Sequence, residues 1–236
     1  MTTRPPGPPH GGDRETASLL ELALFALGLT FSGLVVFALV WSGGGPYEDM
    51  ARANGATSTT FVGSGGSVRL ALPDVVRVHE SWSFYVTGGG SEPPTFTDVR
   101  FTADEISHMV DVRRVFDVAK LFVPAGLFII IVRLQRARLR GSRAMWRLVR
   151  DGSLVSFAVV AAIGVAAALA FEQMFLAFHA IFFPQGNFLF DPATSNLIRL
   201  YPDWYWEGVT LRVGASFLGT ALVLALVGAI RLRGAK

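Results

Sequence analysis

The chain has 236 residues, of which 51% are hydrophobic and 17% charged, and it contains no cysteine. A soluble domain carries about 25% charge, so this composition points to a membrane protein. The missing cysteine excludes disulfides, a thiolate nucleophile, Cys-based zinc centres and a lipid-modified N-terminal cysteine on the chain itself. The net charge of +3 comes from basic residues beside apolar blocks, which is a topology signal and not a nucleic-acid-binding patch.

Residues 1–16 are rich in Pro, Gly and charge. They cannot bury enough apolar surface to fold, which predicts an unstructured arm. The apolar block 17–41 is too long for a signal peptide and is read as a first membrane helix. Residues 42–111 form a polar segment. Its Gly- and Ser/Thr-rich part, Asn54 to Ser67, favours strands and turns, and Pro73 to Val86 has helical spacing. Thr102-Ala103-Asp104-Glu105 has the form of a capping box, so a helix is expected to start near Thr102 and run into the second block, 112–132. Pro124 is expected to kink it.

The loop 133–153 holds Arg133, Arg136, Arg138, Arg140, Arg143, Arg147 and Arg150, with no acid before Asp151. Short loops this basic stay in the cytoplasm. The third block is 154–178, followed by an aromatic-rich segment 179–208, the fourth block 209–230 and a basic tail 231–236. The arm and the tail carry the same basic bias as the arginine loop. The sequence therefore predicts an all-α membrane protein with four transmembrane helices and both termini cytoplasmic. The segment 42–111 becomes a small extracytoplasmic cap with short strands. Phe182, Phe183, Phe188, Tyr201, Trp204, Tyr205 and Trp206 crowd the outer boundary, where an aromatic belt is expected.

Four histidines are present. His10 falls in the arm, and His79 reads as a surface residue of the cap. His108 and His179 flank the hairpin made by the second and third blocks. His108 is about 25 residues from Arg133, and His179 about 29 from Arg150, so at about 1.5 Å per residue both reach one level. Asp111 lies three residues after His108, on the same helix face. Glu172 lies two turns before His179 in an apolar helix, where an ionisable residue is costly and functional by default. Its candidate partners are a histidine, Arg212 and Lys120. Imidazole suits acid–base work near neutral pH. Without a cysteine or a conspicuous nucleophilic serine motif, two of them point to direct proton transfer. Interfacial histidines bonded to carbonyls are the bland alternative. A zinc site has two His and a carboxylate to draw on but no H-x-x-x-H spacing, so no metal is assigned.

The run His108-Met109-Val110-Asp111-Val112, then Phe178-His179-Ala180-Ile181-Phe182-Phe183-Pro184, Asn187, Phe190-Asp191-Pro192, Leu197-Ile198 and Leu200-Tyr201-Pro202 resembles the lipoprotein intramolecular transacylase (Lit) family of bacterial membrane proteins. The resemblance runs from about Tyr85 onward. It implies an acyltransferase acting on diacylglyceryl-modified lipoproteins, which moves the sn-2 acyl chain to the α-amino group of the N-terminal cysteine. It also implies that His108 and His179 are catalytic and that no cofactor is needed. Met109, Asp111, Glu172, Phe183, Asn187 and Tyr201 are candidates to orient the pair or bind substrate. The competing readings are another outer-leaflet lipid acyltransferase or hydrolase, and a non-enzymatic membrane assembly protein. The expected partners are lipoproteins and membrane lipid.

Overall fold

The computed structural model describes residues 18–234, so the predicted arm 1–16, with His10, and the last two residues of the tail lie outside it. The described chain runs α1 (Leu19–Trp41), α2 (Gly44–Ala53), β1 (Ser58–Gly63), β2 (Gly66–Ala71), α3 (Leu72–Val86), α4 (Ala103–Leu139), α5 (Ser142–Leu169), α6 (Phe171–Phe182), α7 (Asn196–Leu200) and α8 (Asp203–Gly234). Four of these, α1, α4, α5 and α8, are long and apolar enough to cross a membrane. They form an all-α bundle in which α8 packs along α5 and α1, and α1 along α4. The remaining short elements build a cap at one end.

α4 and α8 extend past their apolar blocks at both ends, and α5 begins well before its block. The 37 residues of α4 span about 55 Å, nearly twice the hydrocarbon thickness. Its first turn carries the capping box: Thr102 Oγ1 accepts from the Glu105 amide, and Glu105 Oε2 accepts from the Thr102 amide. The helix continues through Pro124. The arginine segment 133–153 is not a loop. Only Arg140 and Gly141 separate α4 from α5, because arginine is a good helix former and its long stem lets the charge reach water while the helix continues. Gly141 turns the chain with φ 128°, a conformation glycine adopts without penalty. Arg140 pairs with the buried Glu21 of α1 at 2.5 Å.

Small residues let the bundle helices approach closely. A side chain on Gly28 would sit 2.9 Å from the Gly126 carbonyl oxygen, and one on Gly126 would sit 2.8 Å from the Gly28 carbonyl oxygen. Close backbone packing of this kind holds helices together where no hydrophobic gradient does. Gly28→Leu should therefore cost about 1–3 kcal/mol by forcing α1 from α4. Gly164 faces open space, so Gly164→Ala should instead gain roughly 0.5–1 kcal/mol. Thermal melts in detergent compare the two; equal melting would show that the glycine contact does not hold α1 to α4.

The main apolar core lies in the cap. Tyr47, Phe61, Trp82, Leu200 and Tyr205 are buried there with Met109 of α4. β1 and β2 form an antiparallel hairpin in register from Ser58↔Ala71 to Gly63↔Gly66. His79 is not a surface residue: it is 1% exposed, stacked on Tyr47 at 4.3 Å. Its Nε2 donates to the Ser42 carbonyl at 3.0 Å, and Ser83 Oγ donates to the same oxygen at 2.7 Å. The end of α1 is thereby fastened to α3.

Candidate active site

Block three, 154–178, was expected to be one continuous helix reaching His179. Instead α5 ends at Leu169, Ala170 is non-helical with φ −149° and ψ 52°, and α6 restarts at Phe171. His179 sits near the end of α6, and His108 sits in the second turn of α4, above the apolar stretch 112–132.

The two imidazoles lie nearly parallel, with ring centroids 5.9 Å apart and 19° between planes. Each is 6% exposed. Phe183 touches both, at 4.6 Å from His108 and 5.3 Å from His179. Phe190 meets His108 edge-on, and Phe175 and Phe188 flank His179 at 4.1 and 5.2 Å. The pair therefore occupies an aromatic cage at the junction of cap and bundle.

His179 Nδ1–H donates to the Phe175 carbonyl at 2.8 Å. A carbonyl only accepts, so this bond fixes the tautomer and leaves Nε2 as the reactive nitrogen. Burial lowers the pKa of His179, and the Phe175 carbonyl opposes that shift. His108 is pushed down to about 4, by burial first and then by the neighbouring His179, against the opposing pulls of Asn187 and Asp111. Burial disfavours the imidazolium, so His108 stays neutral well below the usual histidine range. Asn187 acts on the His108 ring as a partner that favours its charge. Yet His108 Nδ1 and Asn187 Oδ1 fall short of hydrogen-bond geometry. Such bonds are often long in a site without substrate.

Asp111 lies one turn beyond His108. Its Oδ2 accepts from Asn187 Nδ2 at 2.9 Å and Gln185 Nε2 at 2.6 Å, and its Oδ1 from Arg114 at 2.6 Å. These three partners lower its pKa against the opposing effect of partial burial, which is the largest single influence on it. The sequence candidates thus divide. His108, His179, Phe183, Asn187 and Asp111 converge. Met109 points into the cap core. Tyr201 packs against His79 and Tyr205 at 5.7 and 4.9 Å, and reaches His179 only through Trp206 and Phe175. Glu172 is exposed on the first turn of α6 and makes no hydrogen bond or ion pair among the described residues. Lys120 is engaged by Asp117 and Thr87, and Arg212 by the Gly208 carbonyl. The aromatic belt turns partly inward: Phe183 and Tyr205 are buried. Gln185 is the site residue that sequence reasoning missed; only its place between Phe183 and Asn187 pointed to it. Among the described residues, no three His, Cys, Asp or Glu side chains are grouped as a metal ion would need.

Fold and site together define a multi-pass membrane protein with a buried imidazole pair where cap meets bundle. A sequence model of the family described as lipoprotein intramolecular transacylase Lit matches residues 67–206. The chain belongs to the lipoprotein intramolecular transacylase family, whose members are acyltransferases. Its fold is similar to that of the membrane integral lipoprotein intramolecular transacylase Lit from Bacillus cereus, with a TM-score of 0.71 at 15% identity over 91% of this chain and 95% of that one. Variants of that protein with one histidine replaced by arginine or by alanine match at TM-scores of 0.67 and 0.69, again at 15% identity, over 91% of this chain and 92% and 93% of theirs. No curated protein matches the sequence.

Proposed function

We propose that the protein moves the sn-2 acyl chain of a diacylglyceryl-modified lipoprotein from the glycerol oxygen to the α-amino group of the same cysteine. The cap faces the extracytoplasmic side and both termini the cytoplasm, on the strength of the arginines at the opposite end. The observation that carries the reading is the pair of buried imidazoles 5.9 Å apart.

The neutral amine attacks the ester carbonyl carbon. As the N–C bond forms, the nitrogen becomes acidic and His108 takes its proton. The carbonyl oxygen becomes an oxyanion, and the C–O bond to glycerol then breaks. The leaving oxygen takes a proton from Nε2 of His179, which can donate there only as imidazolium, because its Nδ1–H is committed to Phe175. Burial lowers the pKa of both rings, but at His179 the Phe175 carbonyl opposes it, whereas at His108 the neighbouring His179 adds to it, so His108 is the ring held neutral. The assignment of base to His108 and acid to His179 follows. Donor and acceptor belong to one molecule, so the aromatic cage has to fold a single substrate and not to gather two. No cofactor enters the chemistry.

The test is expression in a bacterium whose lipoproteins are diacylated with a free amine, followed by tandem mass spectrometry of the N-terminal lipopeptide. Transfer leaves the mass unchanged, so the fragments decide: one acyl chain should appear on nitrogen. Both chains remaining on glycerol would sink the reading. Loss of one chain's mass would mark a hydrolase.

A further inference from the structure

Glu105, His108 and Asp111 follow one another at intervals of three on α4, so they share one helix face. Each carboxylate holds one end of the segment 183–195, which carries Phe183, Asn187, Phe188 and Phe190 against the histidine pair. Asp111 holds the near end through Gln185 and Asn187. Glu105 holds the far end: its Oε1 accepts from Ser195 Oγ and from the Leu197 amide, both at 2.6 Å. Glu105 is 1% exposed, and Ser195 is buried beside it. Ser195 Oγ in turn caps α7 by accepting from the Ile198 amide at 3.2 Å.

A helix cap alone does not need this arrangement. The capping box uses only Oε2 of Glu105, toward Thr102 at 2.7 Å. The second oxygen is spent on a partner some 90 residues away in sequence, and a carboxylate buried without a cationic partner is costly unless its acceptor sites are filled. We propose that Glu105 is a positioning residue of the histidine site: by pinning Ser195 and Leu197 to α4, it sets the segment that presses Asn187 and the phenylalanine cage onto His108.

The role makes a prediction whose sign separates it from electrostatics. Removing the negative charge of Glu105 would by itself make His108 harder to protonate. Releasing the segment would let water reach His108 and make it easier. Apart from any direct effect of Glu105 itself, the groups whose charge acts on His108 are His179 on α6 and Asp111 on α4, and Glu105→Leu alters neither. The experiment uses the full chain in detergent with isotope-labelled histidine, following the His108 resonance through a pH titration alongside the rate of acyl transfer. In Glu105→Leu, His108 should titrate at least about one unit higher than in the parent, and transfer should fall at least about tenfold.

Glu105→Gln can keep its amide oxygen toward Ser195 and Leu197, and should restore both readouts while sacrificing only the Thr102 bond. Ser195→Ala loses one of the two far-end bonds and should give intermediate shifts; it decides the matter if Glu105→Leu does not fold. Asn196→Ala is the control. It cuts the bonds from α7 to Val62 and Arg100 without touching Glu105, so it should lower stability and leave the His108 titration in place. An unmoved or lowered His108 titration in Glu105→Leu, or in Ser195→Ala where that variant decides, overturns the proposal. The activity readout rests on the proposed function and the titration does not. A shifted resonance with no dependence of transfer on His108 would therefore indict the function and spare the positioning role.

Discussion

His108→Ala and His179→Ala should each reduce acyl transfer by roughly 10²–10⁴-fold, the range removed with a positioned acid or base. The double variant should be scarcely worse than either single one, because the two rings act as a unit and their effects do not add. Both variants should fold, since the largest buried side chains of the cap, Trp82 and Tyr47 among them, lie in a core that neither histidine builds. Lipopeptide mass spectrometry reads transfer, and circular dichroism reads folding. A folded His108→Ala with full activity would remove that ring from the mechanism. The parent enzyme should also keep its base active below pH 6.5. His108 titrates at about 4, so the acid limb belonging to the base lies near that value and not at the ordinary histidine value. An acid limb at higher pH belongs to the amine, whereas His179, which must carry its proton, sets the alkaline limb.

His79 should make the cap acid-sensitive. Burial lowers its pKa from 6.5 to about 4, against the carbonyls of Ser42 and Gly43, which favour its charge. Its Nε2–H is held by Ser42, so Nδ1 carries the lone pair, and Nδ1 is buried without a partner. A proton arriving there would create a buried donor with nothing to receive it. The folded pKa is depressed, so the unfolded chain takes up the proton first as pH falls. Stability is intact above pH 6.5, declines as pH drops from 6.5 toward about 4, and is level below that. The ceiling on the loss is about 3 kcal/mol, from about 1.4 kcal/mol per unit. Melts in detergent between pH 7.5 and 4 measure the slope. His79→Phe, which keeps a ring on Tyr47 but cannot titrate, should flatten it; an unchanged slope would assign the acid sensitivity elsewhere.

Much of the architecture was legible because it rests on signals that are local or one-dimensional. Hydrophobic length marked four spans, Thr102 and Glu105 marked the start of α4, and equal rise from the arginines brought His108 and His179 to one level. The misses share a cause in three-dimensional packing. Nothing in Ala168-Leu169-Ala170-Phe171 announces a helix break, for no glycine or proline stands there. Arginine marks where the membrane ends and not where a helix ends, so the connection between α4 and α5 was overestimated. His79 looked like a surface residue because its carbonyl partner at Ser42 and its ring partner Tyr47 are distant in sequence. The second use of Glu105 was equally hidden, since half of its acceptors serve the local cap and the rest serve a turn that returns only after α5 and α6.

The stacking of the two rings has a consequence for successive cycles. On the proposed reaction a neutral amine enters, an amide leaves, and the protein as a whole neither gains nor loses a proton. The pair nevertheless ends each turnover as its own mirror image: the ring that began empty is loaded, and the ring that began loaded is empty. In that mirrored state the same two groups are set to run the transfer backward, from nitrogen to oxygen. Directionality therefore depends on how quickly the proton is handed back between neighbouring rings compared with how quickly product departs.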